Sequence, residues 1–315
     1  MNELESSPWR AVPTGPTGTR RVIDGPLPDR AVFDPVSAGI AVVEAVPLTR
    51  PAGADDLAKV VYGTAGSGGR DLHLWVHRRA DRNERRPGIV FVHGGGWAGG
   101  SPALHLRHCH ELAGRGWVTA TIEYRLSPEA VWPAALEDVR AAIRWMRANA
   151  ADLGVDPERI AVAGGSAGGH LAAMAALAPA GRWEGTGGRL DQSSSVQAAV
   201  LWYPVTDMSL PGAPPEAGPM VHAFLATDEV SVVADASPIT HVAQPAPPII
   251  TITGEHDELV RPVMIETFHD ALDACNVDNE LVVFADRDHG FDLHPADWAE
   301  SAQVAYDFLE RRLGS

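Results

Sequence analysis

A chain of 315 residues suits one large domain or two small ones, with a sizeable buried core. Its 45% hydrophobic and 21% charged content is that of a folded globular chain, not a disordered one. Against 41 acidic residues stand 25 basic ones, a net charge of −16, which argues against nucleic acid or an anionic membrane as partner because both need a basic face. All but Lys59 of the basic residues are arginine, which reads as genome composition. The two cysteines, Cys109 and Cys275, lie far apart and form neither a metal nor a redox spacing. The first residues, MNELESSPWRAVPTGPTG, lack a basic segment followed by an apolar one, and no run of about 18 apolar residues follows, so the expected location is cytoplasmic.

Residues 1 to about 30, rich in Pro, Gly, Thr and Arg, read as an irregular arm, and 31–48 turn apolar as if to pack on the body or join a lid. From residue 56 strands and helices alternate. Strands are expected at Val60 to Tyr62, Leu72 to His77, Ile89 to Val92, Val118 to Ile122, Ile160 to Ala163, Val200 to Tyr203, Ile249 to Thr253 and Leu281 to Phe284. Helices are expected at Leu136 to Ala150, where Leu136, Val139, Ile143 and Met146 recur at helical spacing, and at Ala167 to Leu177, Val263 to Leu272 and Ala299 to Leu313. This rhythm implies an α/β fold with a mostly parallel central sheet flanked by helices. Ligands of such sheets bind beyond the carboxyl ends of the strands, so catalytic side chains are sought just after strands. One stretch, 204–242, is Pro- and Gly-rich without clear period and too long for a plain connection; it reads as a lid-like insertion in a catalytic domain spanning 51–315.

Three segments carry chemistry. Gly164-Gly165-Ser166-Ala167-Gly168 is a G-x-S-x-G pattern set between an apolar strand and a helix-compatible run, where a sharp turn exposes a serine and the helix start offers free N–H groups. A serine nucleophile needs a base and the base an orienting acid. Of 13 histidines, His289 follows a strand and precedes Gly290, whereas His73 and His77 lie along a strand. His105, His108 and His110, with Cys109, crowd one helix without metal spacing and read as a solvated helix face; His93 and His170 adjoin the motifs and read as supports. After Ile249 to Thr253 the carboxylates Glu255, Asp257 and Glu258 are all available, and spacing does not choose among them; Asp286 and Asp288 read as solvated loop charges. Finally, Phe91 to Gly100, FVHGGGWAGG, puts bare backbone right behind a buried strand.

HGGGW, GGSAGGHLA, GEHDELV and DHGF, in this order, resemble the α/β-hydrolase superfamily and its esterase/lipase branch over residues 56 to 313. Tyr124 to Trp145 resembles that branch's linking segment. SPITHV (Ser237 to Val242) and GGSAGGH are closer to its feruloyl-esterase and acetyl-xylan-esterase-like members than to hormone-sensitive-lipase-like enzymes, which more often carry Asp where Gly165 stands. The resemblance implies Ser166 as nucleophile, His289 as base and Asp257 as acid, with the backbone N–H groups of Gly94, Gly95 and Ala167 as oxyanion hole. It implies hydrolysis of small or medium acyl esters without metal or cofactor. Trp97, Trp132, Phe224 and Leu225 are the pocket candidates. The small-molecule ester is the expected partner, and self-association into a homo-oligomer is left open. An amidase, lactonase or acyltransferase would use the same triad, and a non-catalytic ligand-binding relative would have lost part of it.

Overall fold

The computed structural model describes residues 18–23, 58–65, 69–79, 84–215 and 217–314. Nine strands form one sheet: β1 (Gly18–Ile23), β2 (Ala58–Thr64), β3 (Asp71–His77), β4 (Arg86–Val92), β5 (Val118–Ile122), β6 (Val155–Gly165), β7 (Ala198–Trp202), β8 (Ile249–Gly254) and β9 (Asn279–Phe284). Their order across the sheet is β1-β9-β8-β7-β6-β4-β5-β3-β2. All pairs are parallel except β2 with β3 and β3 with β5, so the seven adjacent strands from β1 to β5 run one way, β2 runs with them, and β3 alone runs against them.

Alternation along each strand builds two cores. Val90 and Val92 of β4, Val162 of β6, Leu201 of β7 and Leu281 of β9 point to one face, where they meet α2 (Ala134–Ala148) with the one-turn α3 (Ala150–Leu153) after it, α4 (Ala167–Leu177) and α7 (Pro262–Ala274). Ile89 and Phe91, Ala163, Val200 and Val282 point to the other, against α1 (Leu106–Gly114) and α8 (Pro295–Leu313). Because both faces are covered, the central strands read as continuous apolar runs instead of alternating ones. The helix α4 is buried almost throughout, which explains why its small residues show no polar face. At its start α8 begins four residues earlier than expected, since Pro295 sits at the first helical position, where its missing N–H costs nothing.

One expectation needs revision. The irregular reading of residues 1 to about 30 misses β1, which pairs in register with β9 from Gly18↔Asn279 to Ile23↔Phe284. Its sequence GTRRVI carries the charge usual on an edge strand; Arg20 pairs with Asp270 at 2.9 Å. The apolar segment 31–48 lies outside the described residues. The insertion 204–242 contains α5 (Ala217–Leu225), α6 (Val230–Asp235) and a 3-10 turn at Pro238–His241. No helix among the described residues is long and apolar enough to cross a membrane.

Candidate active site

Five neighbouring strands, β9, β8, β7, β6 and β4, end on the same side of the sheet. Their carboxyl ends release the segments carrying His289, Asp257, Tyr203, Ser166 and Gly94 respectively. Parallel pairing aligns those ends within a few residues, so segments remote in sequence converge at one edge.

Ser166 follows β6 with φ 56° and ψ −122°, a left-handed conformation that a serine adopts only under constraint from its surroundings. The strand side supplies the constraint: Ser166 N–H donates to Trp202 O at 2.9 Å, while Ser166 O accepts from His170 N–H, the first bond of α4. The turn therefore lifts Oγ off the sheet and leaves the N–H groups of Ala167, Gly168 and Gly169 as first-turn donors without intrahelical partners.

The Ser166 hydroxyl lies 3.0 Å from His289 Nε2, and His289 Nδ1 lies 2.8 Å from Asp257 Oδ2. The other oxygen of Asp257 accepts from the N–H groups of Leu259 (3.0 Å) and Val260 (2.7 Å), which locks the carboxylate in place. Asp257 is fully buried and the His289 side chain 19% exposed. Burial of the imidazole opposes its protonation, but the Asp257 carboxylate and its hydrogen bond outweigh that, with Asp292 and Asp288 adding to them, so His289 titrates above the ordinary histidine range. Neither of the other two acids after β8 reaches the ring by hydrogen bond in this arrangement. Glu255 instead accepts from Asp286 N–H at 3.2 Å, and Glu258 is exposed, as is Asp288 in the loop after β9.

The loop after β4 lies alongside the serine. At Gly94 a Cβ would stand 2.9 Å from Gly165 O and 3.4 Å from Ser166 Cβ, so only glycine lets this backbone approach the turn at Ser166. Gly95, at φ 123°, bends the chain back so that its carbonyl accepts from Ala98 and Gly99. His93 braces the loop: its Nδ1–H donates to Gly94 O at 2.8 Å, its ring stacks on Tyr124, and its own carbonyl accepts from the Tyr124 hydroxyl. Burial lowers His93 to about 4, so it stays neutral.

The pocket candidates occupy one aromatic stack. Trp97 stacks on Phe224 at 4.7 Å, Trp132 meets Phe224 edge-on at 5.9 Å, and Trp132 N–H donates to Phe224 O. All four candidates, including Leu225, are buried. Trp97 Nε1–H donates to His170 Nδ1 at 3.1 Å, and His170 Nε2–H donates to Ala236 O at 2.7 Å, so His170 ties the glycine loop to the insertion. The residue of α5 that faces the glycine loop from outside is Met220, 40% exposed, whose Cε a Cβ at Gly96 would overlap. Leu225 also borders a groove of about 500 Å³ between α5, α6 and the 208–215 loop.

The sequence reading needs correction at the histidine cluster. His105 and His108 are buried, not solvated: His105 Nε2 bonds Val92 O, His108 Nδ1 bonds the Tyr306 hydroxyl, and both rings stack on Phe91. They fill the layer between sheet and helices, and burial holds both well below their usual titration range. Two further residues escaped the sequence reading. Tyr203 and Asp292 sit beside His289, and nothing but burial and contact distinguishes them from other polar residues near strand ends.

The family described as BD-FAE matches residues 74–272. Among curated relatives, the probable carboxylic ester hydrolase LipM of Mycobacterium tuberculosis is 36% identical over 72% of this chain and 55% of its own length. The esterase LipQ of the same organism is 35% identical over 79% of this chain and 62% of its own. The chain thus spans somewhat over half the length of these relatives. The propionate-bound Est2 esterase of Thermogutta terrifontis superposes with a TM-score of 0.72 at 33% identity, covering 81% of this chain and 94% of that one.

Proposed function

The chain belongs to the BD-FAE family, with the α/β-hydrolase fold, and on that premise we propose that it is a serine carboxylic-ester hydrolase working through Ser166, His289 and Asp257. The observation that carries the reading is the unbroken contact from Ser166 Oγ through both nitrogens of His289 to a buried Asp257. His289 takes the serine proton as Oγ attacks the ester carbonyl, and Asp257 fixes the tautomer and stabilises the imidazolium. The tetrahedral oxyanion meets backbone N–H groups of Gly94, Gly95 and Ala167, with the positive end of α4 behind them. His289 returns its proton to the leaving alcohol, and water then releases the acyl group by the same steps in reverse order of roles.

A short or medium acyl group fits the crowding around the glycine loop by Met220 and the Trp97–Phe224 stack. The propionate- and butyrate-bound forms of the Thermogutta esterase support that range. Ester hydrolysis is tested with p-nitrophenyl acetate and butyrate: the native chain turns both over, and Ser166→Ala loses at least about 10³-fold in kcat. Undiminished turnover in that variant would remove Ser166 from the mechanism, and matching anilides, lactones and alcohol acceptors separate amidase, lactonase and acyltransferase activity from hydrolysis of esters.

A further inference from the structure

Beside the imidazole of His289 lies a second buried pair that the acyl-transfer scheme leaves unused. Tyr203, the first residue after β7, has φ 33°, a left-handed conformation rare for an aromatic residue. That turn swings its ring back between two parts of the site. On one side the ring stands edge-on to His289, with centroids 4.6 Å apart. On the other it lies against the nucleophile turn, where a Cβ at Gly165 would be 3.3 Å from the Tyr203 hydroxyl. The hydroxyl donates to Asp292 Oδ1, and Asp292 is itself only 5% exposed. Both members of this pair are buried, and the carboxylate is held by a phenol instead of a cation; nearby Asp297 already has its counter-ion in Arg287 at 2.9 Å.

We propose that Asp292 is a positioning residue for the base: through the Tyr203 phenol it holds a second buried negative charge next to His289 and favours the imidazolium formed during acyl transfer. The inference rests on the hydrolase reading. The groups facing His289 are Ser166 from the turn after β6, Asp257 from the loop after β8, the phenol of Tyr203 after β7, and Asp288 and Asp292 from its own segment. Those facing Asp292 are Tyr203, His289 and Asp297. Burial pushes Asp292 up to about 6, against the Tyr203 hydrogen bond, so its charge is present at neutral pH and fades as pH falls through that value, while His289 is held above the ordinary histidine range. Burial and then the Asp292 charge hold Tyr203 well above the usual phenol range, so it remains a donor throughout. An acidic group near the base raises the pKa of that base. Two coupled groups on the acid side give a limb broader than a single proton requires.

The test uses Asp292→Asn, which keeps an oxygen to accept the Tyr203 hydrogen bond and removes the charge. The expected result is an acid limb of kcat/KM narrowed to one proton and displaced to lower pH by about half a unit or more. Tyr203→Phe, which strips the donor from the carboxylate, displaces the limb in the same direction, and the double variant goes no further than Asp292→Asn alone. A purely structural role lowers rates by one factor at every pH, and an unmoved limb in both single variants overturns the proposal. NMR titration of the His289 ring in the Ser166→Ala background reads the same displacement without turnover. That shift together with a native chain that cleaves no ester would uphold the coupling and refute the hydrolase reading, while normal turnover of the native chain with an unshifted ring in the variant refutes the coupling alone.

Discussion

At the scale of single residues, the choice of acid turns on one hydrogen bond. Asp257 holds His289 with one oxygen and two backbone N–H groups with the other, whereas Glu255 spends an oxygen on Asp286 N–H. Asp257→Asn should therefore leave the fold intact and lower kcat by about 10⁴-fold, because an amide favours the wrong imidazole tautomer. Glu255→Gln should stay within a few-fold of the native rate, and the reverse pattern in steady-state kinetics would move the acid to Glu255. The pH dependence follows from the same contact. His289 must be neutral to accept the serine proton, and its partners hold it above the ordinary 6.5, so kcat/KM falls as pH drops through that raised value. Spacing in the sequence leaves Glu255, Asp257 and Glu258 equivalent, because it records order along a loop and not the direction in which each side chain leaves it.

Among the elements, α5 is the one through which the proposed ester hydrolysis would set its acyl-chain limit. It is pinned from three sides: Phe224 stacks on Trp97, Trp132 N–H bonds Phe224 O, and the Ser127 hydroxyl bonds Ala223 O at 2.7 Å. These contacts hold Met220 over the glycine loop, while the buried Trp97, Trp132, Phe224 and Leu225 act as the scaffold behind it. Met220→Ala should extend the longest p-nitrophenyl acyl chain hydrolysed, and Met220→Trp should shorten it, with turnover of the acetate changed less than about threefold by either. An acyl-length profile of unchanged shape in both variants would place the limit elsewhere. The aromatic residues near the motifs are legible in the sequence, but which of them faces a substrate is not. A flexible methionine on an exposed helix face carries no motif, and its place over the glycine loop arises only from where α5 packs.

The whole molecule has an acid weakness that its histidines predict. His77, His93, His105, His170 and His269 are each lowered by burial from 6.5 to about 4. Between those values the unfolded chain binds protons that the folded one refuses, so stability is lost as pH falls from about 6.5 toward 4. His108 is lowered further still, whereas His289, Asp292, Asp138 and Glu266, whose folded values are raised, act in the opposite sense but are four against six. The melting temperature should fall by more than about 10 °C between pH 7 and pH 4.5, and a flat profile by calorimetry would contradict the buried neutral state of these rings. By itself the sequence determined the α/β alternation, because burial on both faces forces apolar runs and helical spacing that survive in any reading of the chain. It also determined the local strand–turn–helix around Ser166 and the bare backbone at Gly94 and Gly95, since those depend on neighbours a few residues away. What only the tertiary structure decided is what arrives from elsewhere: β1 on the far edge of β9, the burial of His105 and His108, the contact of Asp257 with His289, and the Tyr203–Asp292 pair behind it. The physical reason is that parallel strands separated by helices bring together ends 30 to more than 100 residues apart, and burial and partner choice are properties of that convergence, not of any segment.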